Sequence, residues 1–195
     1  HQDTSGVPGI TEPYDFFGSA FAVGDFDGNG HDDLAVGVSG ENLGLASNAG
    51  MVNMFLGHAG GLSASSKTLK QLEGFPLPSL SGDLYSETLD QFGDSLAAGD
   101  LNGDGIDELV VGIPGETKGA LHSSSKQLSG AIKVYWFSGG SFSYSLPLGL
   151  MYDQDYPGIS GGTEAADFFG ETLSIGDLNG DGYDDIVVGV PQEDI

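Results

Sequence analysis

The chain has 195 residues, with 29 acids against 5 lysines, no arginine, no cysteine and a net charge of −24. That field excludes recognition of a phosphate backbone, which needs clustered Lys/Arg, and argues against direct docking on anionic membranes or insertion into them. Without cysteine there is no disulfide framework and no thiol chemistry.

The 34 glycines follow no Gly-X-Y period, so collagen is excluded. They recur at fixed offsets instead, in the manner of tight turns. Phe-Gly pairs stand at Phe17-Gly18, Phe92-Gly93 and Phe169-Gly170, at intervals of 75 (18 to 93) and 77 (93 to 170) residues. A period of this length holds a four-stranded unit with its loops.

In chain order, Gln2-Asp3 is expected to be the last strand of a preceding unit, because it precedes its Phe-Gly glycine by the same distance as Gln154-Asp155. The first unit then offers a short apolar strand at 21–23, an acidic loop, an apolar run at 34–38 and a strand at 51–57. A weaker fourth strand is expected near 67–72. The second unit repeats the order at 96–98, 109–113 and 131–137, with a fourth strand near 148–153. The third gives 173–175 and 186–190. The β-branched runs of five, bounded by turn residues, predict strands buried on both faces. Trp136 is read as core. No stretch sustains a helical period, so the fold class is all-β. The expected organisation is one region over 1–195, with repeats at about 14–88, 89–165 and an incomplete 166–195. About two and a half four-stranded antiparallel blades cannot close a propeller, which usually needs four or more. Further repeats or other chains are therefore needed to close a propeller, unless the array is open, and the chain is expected to be a piece of a larger protein.

The acidic loops carry the chemistry. They read Asp25-Phe-Asp27-Gly-Asn29-Gly-His31-Asp-Asp33, Asp100-Leu-Asn102-Gly-Asp104-Gly-Ile106-Asp-Glu108 and Asp177-Leu-Asn179-Gly-Asp181-Gly-Tyr183-Asp-Asp185. Positions 1, 3 and 5 offer Asp or Asn, and position 9 an acid. Glycines at 4 and 6 let the chain wrap with positive φ. Position 7 (His31, Ile106, Tyr183) varies in side chain, which suits a backbone carbonyl ligand. Hard oxygens in this number suit Ca²⁺, in about three sites, whereas Mg²⁺ keeps more of its waters. An EF-hand would place a bidentate Glu at position 12; here Val36, Val111 and Val188 stand there, inside strand-like runs. Position 8 (Asp32, Asp107, Asp184) is expected to point outward or to hold its loop by hydrogen bonds. An Asx-rich turn without metal is the rival reading of any single loop.

The Phe-Gly pairs, the three loops and the following Gly-Val-Ser39, Gly-Ile-Pro114 and Gly-Val-Pro191 resemble FG-GAP repeats. These form the blades of the integrin α-subunit N-terminal β-propeller and occur in bacterial secreted and surface proteins. Asp at position 8, where integrins often have Pro, sets the chain apart from integrins proper. The resemblance implies calcium in the loops joining strands 1 and 2.

Antiparallel order puts the 1–2 and 3–4 loops at one end and the 2–3 and 4–1 loops at the other. The loops at 39–49, 74–90, 114–129 and 157–166 therefore lie opposite calcium, and they carry Phe75, Tyr85 and His122. Recognition favours such loops on a rigid scaffold. The expected function is a non-enzymatic, calcium-stabilised extracellular binding or adhesion module for a protein or glycan ligand. The alternatives are part of a secreted carbohydrate-active or other hydrolase or lyase, and an architectural surface-assembly protein. No Gly-X-Ser-X-Gly, His-Glu-X-X-His or phosphate-binding Gly-Lys-Ser/Thr motif is present.

Overall fold

The computed structural model describes residues 2–71, 86–117, 128–138 and 151–194. Ten strands stand in them and no helix: β1 (Phe17–Gly24), β2 (Asp33–Val38), β3 (Met51–His58), β4 (Gly61–Leu69), β5 (Leu96–Gly99), β6 (Glu108–Ile113), β7 (Ala131–Tyr135), β8 (Met151–Tyr152), β9 (Thr172–Gly176) and β10 (Asp185–Gly189). They form three antiparallel sheets, ordered β1-β2-β3-β4, β5-β6-β7-β8 and β9-β10. The first two are complete blades and the third is the inner half of one. First strands of successive blades lie against each other, β1 on β5 and β5 on β9.

The apolar runs become the second strands because a blade packed between two neighbours buries both of its faces. All of β6 is buried, and β2 nearly so. One core joins blades 1 and 2 around Phe26, Met54, Phe92, Leu109 and Tyr135. The other joins blade 2 to the half-blade through Val110, Ile132, Val134 and Phe169. Trp136 packs half-buried on that second cluster, one residue beyond β7. Burying one such side chain contributes about 1.5–3 kcal/mol.

Two expectations need correction. The run 186–190 is not fully buried: β10 is only partly covered, with Val187 45% exposed. Its sequence matches that of β6, but among the described residues no third strand pairs with it and no further blade covers it. Gln2-Asp3 is not a strand either, since residues 2–16 hold none. The register behind that expectation holds, however. Gln2 takes the place of Gln71 and Gln154, which follow β4 and β8 by two residues. The fourth strands differ in length from what the sequence suggests. β4 begins earlier, at Gly61, and β8 is a pair of residues; 72 and 148–150 lie outside the described residues.

The Phe-Gly segments of blade 2 and of the half-blade each lock onto the blade before them. Phe92 N–H donates to Ala49 O and Phe169 N–H to Ser129 O, at 2.9 and 3.0 Å. Ser19 and Ser95 hydroxyls donate to Gly93 O and Gly170 O. Hence Gly112 stands where a Cβ would lie 2.2 Å from Gly170 O.

Candidate metal centre

Each acidic loop caps the hairpin between the first and second strands of its blade. The glycines at positions 4 and 6 take positive φ in all three, from 70° at Gly28 to 89° at Gly182. This wraps the backbone around the first Asp. Asp25 accepts from Asn29 N–H at 3.0 Å and Gly30 N–H at 2.7 Å. Asp100 accepts from Gly103, Asp104 and Gly105, and Asp177 from Gly180, Asp181 and Gly182. Position 5 receives the position 7 amide: His31 N–H donates to Asn29, Ile106 N–H to Asp104 and Tyr183 N–H to Asp181. Asn102 and Asn179 accept from the position 5 amides.

The acid at position 9 opens the second strand and reaches back under the loop. Asp33 accepts from Phe26 N–H at 3.0 Å and Gly57 N–H at 2.7 Å. Glu108 accepts from Leu101 N–H and the Asn102 amide, both at 3.0 Å. Asp185 accepts from Leu178 N–H. Burial pushes Asp33 up from the usual carboxylate range, and the charges of Asp27 and Asp25 add to this. Burial likewise pushes Glu108 up to about 7, with Asp104, Asp100 and Asp107 adding to it. A divalent cation would relieve that repulsion.

In loop 1 the carboxylate oxygens of Asp25, Asp27 and Asp33 lie within 4.8 Å of one another. This donor set is hard oxygen throughout and fits an oxygen-seeking cation. Among the described residues it is the one acidic trio brought together in this way. Loops 2 and 3 carry Asn102 and Asn179 where loop 1 has Asp27, and Asp104 and Asp181 where it has Asn29, so each loop brings three acids to positions 1, 3, 5 and 9 in a different order.

Position 8 does something that a single loop cannot reveal. Asp107 accepts from Asp25 N–H at 2.8 Å while its own N–H donates to Asp25 O at 3.2 Å. Asp184 does the same to Asp100, at 3.1 Å for both contacts. These residues reach the preceding blade, and Asp32 remains exposed.

The opposite end carries a second periodic feature that sequence reading missed. Gln71 donates to Glu116 and Gln154 to Glu193, each from the end of one blade to the 2–3 loop of the next, and Gln2, ahead of blade 1, donates to Glu41 in the same manner. Glu stands four residues after Gly37, Gly112 and Gly189, which was the available signal; the Gln-to-Glu separations of 39, 45 and 39 residues hid the pairing. The loops at this end also meet as antiparallel order requires, with Gly40 N–H donating to Asp15 O and Gln91 N–H to Asn48 O. Phe75, Tyr85 and His122 lie outside the described residues.

A sequence profile of the FG-GAP repeat matches residues 17–52, 92–135 and 169–194. Integrin alpha-8 of Gallus gallus is 29% identical over 192 residues, covering 98% of this chain and 15% of that protein. Phosphatidylinositol-glycan-specific phospholipase D of Homo sapiens is 31% identical over 188 residues, covering 93% of this chain and 19% of that protein. The chain thus spans less than a fifth of the length of either curated relative. A rhamnogalacturonan lyase of Bacillus licheniformis superposes with a TM-score of 0.46 at 20% identity, covering 90% of this chain and 29% of that one, a likeness too slight to bear on activity. Each matched segment takes in a first strand, its acidic tip and the second strand, and on that ground the chain belongs to the FG-GAP repeat family as a partial β-propeller.

Proposed function

We propose that this chain is a calcium-braced stretch of propeller that serves as an extracellular adhesion module, with its ligand surface at the end opposite the acidic loops. The observation that carries the calcium reading is the convergence of Asp25, Asp27 and Asp33 in a turn that the chain builds three times. In it Asp25, Asp27, Asn29 and Asp33, with the His31 carbonyl, would hold the ion. Asp100, Asn102, Asp104, Glu108 and the Ile106 carbonyl would do so in loop 2. Asp177, Asn179, Asp181, Asp185 and the Tyr183 carbonyl would do so in loop 3. The ion would neutralise each turn and so fix the hairpin beneath it.

The likeness to integrin alpha-8 supports the adhesion reading. The exposed side chains favour the end opposite the acidic loops as the ligand surface. Tyr14 (77% exposed), Phe16, Leu45, Leu89 and Tyr156 all lie there and open to solvent. Tyr14, Phe16 and Leu89 have positive φ, a conformation that costs a non-glycine residue on the order of 1–3 kcal/mol and often marks working surfaces. The ligand would be a protein or a glycan, and the module itself would catalyse nothing.

Thermal melts with excess Ca²⁺ and with EDTA test the central claim. Metal that binds only the folded state adds about 2.7 kcal/mol per site at a hundredfold excess over Kd, so the melting temperature should fall on chelation. Identical melts would sink structural calcium. The likeness to the phospholipase, an enzyme by name, favours a second reading, in which the segment belongs to a secreted hydrolase. Screening the chain against glycans and glycolipids separates the two: saturable binding without turnover supports adhesion, and turnover supports the hydrolase.

A further inference from the structure

The acidic loops are joined to one another. Asp25 is gripped at both backbone groups by Asp107, and Asp100 by Asp184. Each bracket runs from position 8 of one loop to position 1 of the loop before it. Position 1 is also the carboxylate on which its own loop is wound, through Asn29 and Gly30 in loop 1 and through Gly103, Asp104 and Gly105 in loop 2.

We propose that Asp107 and Asp184 are positioning residues for the metal sites of the preceding blades, so that the sites are wired in series along the propeller. The proposal rests on the calcium reading above. Pinning the N–H and C=O of Asp25 fixes its Cα and thereby aims its carboxylate before any ion arrives. Partners outside the ligand shell commonly tune metal affinity in this way. The packing leaves room for this bracket and for little else. A Cβ on Gly24 would stand 2.7 Å from Asp107 Oδ2, and one on Gly99 would stand 2.5 Å from Asp184 Oδ2. Asp177, at the first position of loop 3, is exposed and has no such bracket among the described residues.

The test is a Ca²⁺ titration of the ¹⁵N-labelled chain, following the amides of Gly30, Gly105 and Gly182, one in each loop. Asp107→Ala should raise the half-saturation concentration at Gly30 about tenfold, and by more than at Gly105, although residue 107 belongs to the second loop. Asp184→Ala should affect Gly105 more than Gly182. Asp107→Asn keeps an oxygen acceptor for Asp25 N–H and should restore most of the loss, whereas Gly24→Ala should reproduce it from the other side of the junction. The proposal is overturned if Asp107→Ala weakens its own loop as much as the preceding one. It is also overturned if Asp32→Ala, which removes the same charge without a bracket, matches the effect at Gly30. If no glycine of the unmodified chain responds to Ca²⁺, the calcium reading itself fails, an outcome distinct from either of these.

Discussion

Blade 2 and the half-blade that follows it are built from almost the same words. Leu109-Val110-Val111-Gly112-Ile113 matches Ile186-Val187-Val188-Gly189-Val190, and the loops before them differ only at positions 7 and 9. Yet Val110 is 0% exposed and Val187 45%. Glu108 is buried under its loop, whereas Asp185 is half-open. Leu101 packs against the neighbouring blade, whereas Leu178 is 71% exposed. The start of the chain shows the same pattern, with Phe21 61% exposed where its counterpart Leu96 is covered by blade 1. A blade of this kind cannot bury its own faces; its neighbours bury them.

That contrast is open to direct attack. The largest expected effect comes from truncating the buried strand. Leu109→Ala should cost about 2–5 kcal/mol in urea unfolding, and Ile186→Ala less than half as much. Equal costs would mean that the half-blade is covered in solution. Next come the strand glycines. A methyl at Gly112 would meet Ser95 Oγ at 2.0 Å and Gly170 O at 2.2 Å, so Gly112→Ala should destabilise by about 1–3 kcal/mol. At Gly189 the methyl would meet mainly the exposed Thr172 hydroxyl, which can swing away, and the same substitution should be milder.

The smallest effect is a pH slope. Burial raises Asp90 to about 7, a rise opposed by its hydrogen bond from Glu87 N–H and reinforced by the Glu87 charge. The folded state therefore holds this proton more strongly than the unfolded one. Stability falls as pH rises from about 4 to about 7 and is level above that. Asp90→Asn should gain on the parent chain across that window in EDTA, read as a widening gap in melting temperature. A constant gap would mean that Asp90 does not carry the slope.

Much of the architecture could be read directly. The Phe-Gly spacing marked the blades, the apolar runs marked β2, β6 and β10, and the Asp-X-Asx-Gly-Asx-Gly pattern marked the turns, because each of these signals lies within a few consecutive residues. The loop glycines do take the positive φ that their spacing demands. Less legible was anything whose cause lies in another repeat. Burial of β10 was overestimated because a hydrophobic run reports what a strand can bury, not what stands beside it. Position 8 could be read as facing outward because its partner lies 82 or 84 residues earlier.

By itself, then, the sequence determined the repeat, the strand that follows each turn and the oxygen-rich character of the loops, since those follow from backbone sterics and local side-chain chemistry. Only the tertiary structure decided that Asp107 and Asp184 tie one loop to the loop before it. It also decided that Gln2, Gln71 and Gln154 clamp Glu41, Glu116 and Glu193, and which of three near-identical strands is sealed from water. Those outcomes depend on what one blade presents to the next, and contacts between groups 39 to 84 residues apart leave no mark on the local pattern.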